Sequence, residues 1–281
     1  MQRNYSLAHL TVLELAPPAM IRAAALAGYQ GCGLRLLPFA PGGTAYRLMD
    51  DPALLGETLA CMRDTGLRIP DIEIIRIEGP LDVGRYLSFF ETGQKLGAQH
   101  ILVTGEDPDQ SRLIDSFARL CEACRPYGLT ADMEFMPWMT ADSIRTARRI
   151  VEAAGQDNGG VLVDPIHFER STSTLADLRQ LPGRMIHYAQ ICDAPAKGPA
   201  DTKGLIHASR HERLLPGEGD VPLKEMIDCY APDLTISVEI PNTKRRAQVG
   251  TQAWITQCLE ASRKVGEAGI RRTSAPFGAK P

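Results

Sequence analysis

Short apolar runs recur along the chain, and each gives way to a longer stretch with helical spacing. YSLAHLTV (5–12) leads into APPAMIRAAALAGY, which predicts a strand and then an alanine-rich helix ending at Gly28. GCGLRLLP (31–38) is followed by a helical stretch within 50–65. IPDIEIIRI (69–77) precedes VGRYLSFFETGQKLGA, where Tyr86, Phe89, Phe90 and Leu96 share one helix face. HILVTG (100–105) precedes a helix from about 109 to 126, and LTADMEFMP (129–137) precedes ADSIRTARRIVEAAG. GGVLVDP (159–165) precedes a short helix near 174–180. MIHYAQICDA (185–194) opens a long polar stretch, with a helix near 222–229 beyond it. LTISVEIP (234–241) precedes one last helix, AQVGTQAWITQCLEASRKVGEAG.

Strict alternation of strand and helix predicts a parallel sheet with helices outside it. Eight strand-like runs is the count that closes a (β/α)8 TIM barrel. The rival is an open doubly wound sheet, which usually carries a Gly-rich turn after its first strand; here that position reads TVLELA. No Pro/Gly/Ser linker separates two halves. We therefore expect one α/β barrel domain over 1–281, with an inserted loop at about 195–220 and a loose tail after about 270.

Composition narrows the partners. The net charge is −3 and the densest basic cluster is only Lys244–Arg245–Arg246, which reads as a solvated helix start, so nucleic acid is not expected. No run reaches the ~18 apolar residues of a membrane span, and the N-terminus lacks a signal-peptide pattern. The seven cysteines are scattered. Cys121 and Cys124 have redox or zinc spacing but sit in a helical pattern without a second pair, so buried reduced thiols in a cytoplasmic protein are expected.

Barrel enzymes work at the C-terminal ends of their strands. Strand five ends on Glu134, strand six on Asp164 with His167 just beyond, strand seven on Gln190, Cys192 and Asp193, and strand eight on Glu239. Taken singly, each has an ordinary explanation: a helix cap, a turn former, a satisfied polar group. Together, three acids meeting at one rim would repel one another unless a cation sat between them. Glu134, Asp164, Gln190 and Glu239 form an oxygen-rich set, which favours Mn2+ or Mg2+ over a thiolate-type zinc site.

The stretches MEFMPW, VDPIHFERS, QICDA, RLLPGEGDVPL (213–223) and SVEIP resemble the xylose isomerase-like TIM barrels, broadly sugar phosphate isomerases and epimerases, over roughly residues 5 to 265. The resemblance implies that Glu134 and Glu239 bind the metal and also act as two catalytic bases. Asp164 matches a third ligand, and His167 matches a histidine that contacts substrate beside the metal. Two departures stand out. Gln190 falls where many members have a histidine ligand, and no acid follows Glu134 until Asp142.

The implied function is a metal-dependent isomerase or epimerase of a keto sugar or related polyol, working through a metal-stabilised enediolate. The alternative is a dehydratase (lyase) of a keto-cyclitol or dehydroshikimate-like acid on the same metal, toward which both departures lean. A nuclease of the same superfamily or a non-catalytic sugar-binding barrel fits less well. Arg213 is a candidate to reach over the rim to substrate, and Trp138 a candidate wall for a sugar ring. In the same insertion His207, Arg210 and His211 are candidates for a lid, and Asp220 for the cap of the helix from Val221. His9 and Glu14 are weaker candidates to line the pocket, and Asp109 reads as a helix cap rather than a ligand. The expected partner is a small sugar or polyol, with self-association left open.

Overall fold

A computed structural model of the chain describes residues 3–267. The tail expected to be loose after residue 270 lies outside the described residues. Parallel strands alternate with helices as the apolar pattern requires. The strands are Tyr5–Leu7, an interrupted second strand (Gly31–Cys32 and Leu34–Arg35), Asp71–Ile77, His100–Gly105, Thr130–Glu134, Gly159–Leu162, Ala189–Ile191 and Ile236–Val238. One ladder joins the second, first, eighth and seventh strands, and another joins the second through the sixth in chain order. Gly33 lies at the break in the second strand, where a Cβ would run into the carboxylate of Asp71. The ring closes where the Gln190 amide donates to the Val163 carbonyl at 3.1 Å, tying the sixth strand to the seventh.

The period-2 pattern, broken in the third strand by an irregularity between Glu73 and Ile75, sorts side chains between two cores. Ile72, Ile101, Val103, Met133, Val161 and Val238 pack outward in the main core beneath the helices. Ile74, Leu102, Leu162 and Tyr188 form a separate apolar plug inside the barrel. Each such side chain contributes ~1.5–3 kcal/mol when fully buried. The helix Ile144–Ala154 shows the local logic: the Ser143 side chain caps it by accepting from Thr146 N, its Ile144, Ala147, Ile150, Val151 and Ala154 face is buried, and Gly155 ends it in a left-handed turn.

The structure departs from the sequence pattern in three places. The stretch expected as a loop at 195–220 carries a helix, Thr202–His211, capped by Asp201. The single last helix is two, Thr243–Val249 and Thr251–Gly266, broken at Gly250 with φ 85°. Asp220 caps nothing; it accepts from Ala196 N at 2.8 Å, and the following helix runs Leu223–Ile227 behind Pro222. No helix among the described residues is long and apolar enough to cross a membrane.

Candidate active site at the carboxyl rim

Strand register delivers the site. Glu134 pairs with Leu162 across the fifth and sixth strands, and Asp164 lies two residues beyond Leu162 on the same inward face. Gln190 pairs with Ser237 across the seventh and eighth, and Glu239 lies two residues beyond Ser237. Glu134, Asp164, Gln190 and Glu239 are all buried. Pro165 then starts the short helix Pro165–Arg170, for which Asp164 is the N-cap: its Oδ1 accepts from Ile166 N at 2.9 Å. That turn brings His167 back beside Asp164.

Donor atoms of Glu134, Asp164 and His167 fall within 4.8 Å of one another. Acids gathered at one rim call for a cation among them, and the chain supplies one itself. The Arg213 guanidinium donates to Asp164 Oδ2 at 2.5 Å and lies 3.0 Å from Glu239 Oε2. Further bonds to the Ser209 carbonyl at 2.7 Å, the Glu239 carbonyl at 3.1 Å and the Cys192 sulfur at 3.5 Å lock it in place. Arg213 is 2% exposed, so it does not reach freely over the rim; it is held within the acid cluster and touches the cavity from there.

Electrostatics follow from this crowding. Burial and the neighbouring Glu239 and Asp164 push the Glu134 carboxyl well above its ordinary range. Glu239 is pushed up to about 8, chiefly by burial. Burial works against the charged form of Asp164 too, but Arg213 and His167 hold it below the usual value. Burial pushes His167 down to about 4, which keeps its imidazole neutral near pH 7.

The residues fit a divalent cation. Ionised together, three carboxylates against one guanidinium would leave two negative charges in a buried space, so the cluster either keeps protons on Glu134 and Glu239 or takes up a cation. Gln190 Oε1 is buried without a hydrogen-bond partner, as is His167 Nδ1. Asp164 and Glu239 each spend an oxygen on Arg213, but a carboxylate has about four lone-pair sites and retains capacity for an ion. Glu239 does not join the close group of Glu134, Asp164 and His167; Arg213 draws it aside.

Above the acids is a cavity of about 230 Å³, sized for a small molecule and not a polymer. Glu134, Glu239, His167, Arg213, Trp138 and Arg210 line it. Trp138 meets His167 edge-on with ring centroids 5.2 Å apart. Of the lid candidates, Arg210 and His211 border the cavity, whereas His207 is exposed and lies 3.3 Å from Glu212.

Other candidates have different positions. His9 is buried; its Nε2 bonds the Leu15 carbonyl at 2.9 Å and its Nδ1 accepts from Arg35 N at 2.9 Å, so it braces the second strand. Glu14 pairs with Arg246 away from the cavity. Asp109 caps the helix Gln110–Cys124, and Cys121 and Cys124 are buried thiols within it. Sequence reasoning missed the buried pair Arg35–Glu73, with Arg35 Nε 2.8 Å from Glu73 Oε2. Its signal was Asp71 and Glu73 alternating with isoleucines in DIEIIRI, which marks an inward polar face.

Asp193 holds the R-L-L-P-G-E-G-D loop against the rim. Its carboxylate accepts from the amides of Ala194 (2.8 Å), Gly217 (2.8 Å), Gly219 (3.0 Å) and Val221 (3.2 Å). Asp193→Ala strands these donors and is expected to cost roughly 2–4 kcal/mol in chemical denaturation. A loss below about 0.5 kcal/mol would mean that water replaces the carboxylate without penalty.

The xylose isomerase-like TIM barrel model matches residues 21–258. The chain belongs to that family. Among curated relatives, an inosose isomerase of Bacillus velezensis is 27% identical over 151 residues, covering 50% of this chain and 52% of that protein. A 3-dehydroshikimate dehydratase of Pseudomonas putida is 27% identical over 170 residues, covering 56% of this chain and 26% of that protein. The chain thus spans about half the length, or less, of these relatives. Among solved structures, an IOLI protein with a binding zinc atom superposes with a TM-score of 0.78 at 17% identity, covering 94% of this chain and 98% of that one. D-psicose 3-epimerase from Clostridium cellulolyticum H10, solved with D-tagatose, gives a TM-score of 0.69 at 14% identity, covering 94% and 99%. At these identities the structures show the shared barrel fold alone.

Proposed function

We propose that this family member uses a divalent metal, Mn2+ or Mg2+, to remove a proton next to the carbonyl of a keto sugar or related polyol, returning it to give an isomer or epimer. The observation that carries the reading is that Glu134 and Glu239, from separate strands, line one small cavity together with His167. Glu134, Asp164, Gln190 and Glu239 would hold the ion. When bound, it would stabilise the negative charge that develops on the substrate's carbonyl oxygen.

The chain's own groups do the rest. Glu134 is placed to take the proton and Glu239 to return one. His167 is neutral and has an unpartnered buried Nδ1, so it can hydrogen-bond a substrate oxygen without adding charge. Trp138 supplies an apolar wall, and Arg213 fixes the direction of the Glu239 carboxylate.

Arg210 favours a second reading, the dehydratase. Among the described residues it has no ion-pair partner, and its guanidinium lies 4.7 Å over the Phe39 ring. Nearby Arg35 and Arg76 are spent on Glu73 and Glu106. A half-buried guanidinium at the cavity without a carboxylate of its own suits an acidic keto-cyclitol. After proton loss, such a substrate can expel a β-hydroxyl as water.

Metal-loaded protein incubated in heavy water with neutral and acidic cyclic ketones tests both. The first reading expects deuterium in an isomer of otherwise unchanged mass; the second expects a product lighter by one water. Under the second reading Arg210→Gln should raise KM for the acidic ketone ~10–100-fold, the value of a charge-assisted hydrogen bond. No exchange and no product from any ketone would overturn the proposal.

A further inference from the structure

The opposite end of the barrel carries a second cluster that the rim chemistry does not use. His100 opens the fourth strand, Asp132 sits within the fifth, and His187 precedes the seventh. Asp132 Oδ1 is 2.6 Å from His187 Nδ1, and its Oδ2 is 3.8 Å from His100 Nδ1. The two imidazoles are parallel to within 3°, with centroids 6.0 Å apart. One donor atom from each of the three residues falls within 4.8 Å of the others.

Two further observations distinguish this cluster from an ordinary hydrogen-bond network. Among the described residues no lysine or arginine pairs with Asp132 or with Asp71, and burial together with the neighbouring carboxylates pushes Asp71 well above the usual carboxylate range, toward its neutral form. Asp71 Oδ1 and the Tyr188 hydroxyl are both buried without a partner, and the Tyr188 ring stacks on His100 at 5.0 Å. The end of the barrel therefore holds buried carboxyls that, among the described residues, face no lysine or arginine, only the two titratable imidazoles. The two imidazole side chains are 13% and 17% exposed, which gives an ion a route in from solvent.

We infer that His100, Asp132 and His187 form a metal site separate from the rim, suited to Zn2+ or a similar borderline ion. Imidazole with carboxylate suits such an ion better than Mg2+ or Ca2+. Bonds of ~2.0–2.2 Å in a tetrahedron place donor atoms roughly 3.3–3.5 Å apart. The separations of 2.6 and 3.8 Å run to different oxygens of Asp132, and the Thr130 hydroxyl sits 2.6 Å from Oδ2 and 2.9 Å from His100 Nδ1, so the ion would displace that hydroxyl and draw both imidazoles onto the carboxylate. It takes the place of the proton shared by His187 and Asp132, which leaves to solvent, and water fills the fourth position. The location has a use. The sixth and seventh strands form no ladder with each other, and the Gln190–Val163 hydrogen bond ties that seam. An ion held by the fifth strand and the entry to the seventh would staple across it. Gly160 on the intervening sixth strand leaves the room: a Cβ there would run into Asp132 Oδ1 and His187 Nδ1.

The test counts metal. The full chain is stripped with chelator, saturated with Zn2+, desalted, and its zinc per chain measured by mass spectrometry. His100→Gln and His187→Gln should each lose one equivalent that Asp164→Asn, a rim substitution, retains. Zn2+ should also raise the melting temperature of Asp164→Asn by more than that of the Asp164→Asn/His187→Gln double variant, in which neither site is intact. Zinc content unchanged in both histidine variants would overturn the inference, whatever happens at the rim. Should the variants fail to fold, anomalous diffraction from zinc-soaked wild-type crystals decides. A peak between His100 and His187 supports the site, and a bare cluster at saturating zinc rejects it.

Discussion

Replacing Glu134 by glutamine is expected to lower kcat by ~10²–10⁴-fold, the usual contribution of a positioned general base, while the protein keeps its metal. The amide retains a ligand oxygen but cannot accept a proton. The same substitution removes one of three crowded buried carboxylates, whose repulsion pushes Glu134 toward its neutral form. It should therefore raise the melting temperature of the metal-free protein. Lower activity with higher apo stability is a combination that a purely structural role would not produce. Retained turnover in Glu134→Gln with full metal content would remove Glu134 from the role of base.

The second large effect is expected at Arg213. Arg213→Leu leaves Asp164 and Glu239 facing each other without the guanidinium that now bridges them. Breaking a buried ion pair from one side costs ~3–5 kcal/mol, because the surviving charges stay desolvated. Two carbonyls, of Ser209 and Glu239, lose their donor as well. Arg213→Lys restores charge but not the planar fork, and should recover only part of the loss. Urea denaturation of the metal-free protein measures the effect. A loss below about 1 kcal/mol would show that the acids do not depend on this cation.

Much of the barrel was legible because its strands are apolar runs with strong punctuation. HILVTG is the strand His100–Gly105 without adjustment. Other runs overshot. YSLAHLTV continues past its strand, Tyr5–Leu7, because His9–Val12 turns into a 3-10 helix anchored by the His9 bonds. Thr202–His211 was hidden because its few apolar positions look like loop, although Asp201 followed by Gly204 carries a capping signal. The positions of Glu134, Asp164 and Glu239 were legible because side chains alternate along strands. The place of Arg213 was not, since it meets Asp164 from 49 residues away through an inserted segment that has no period to read. The His100–Asp132–His187 cluster was equally hidden, being assembled from three different strand regions.

Locating the rim metal tests the central claim most directly. Crystals of the full chain grown with Mn2+ should show one rim ion with side-chain oxygens of Glu134, Asp164, Gln190 and Glu239 within ~2.0–2.6 Å. His167 should lie beside the ion without ligating it. A rim without an ion, Arg213 still bridging Asp164 and Glu239 and two or more of the four side chains pointing away from a common centre, would contradict the account.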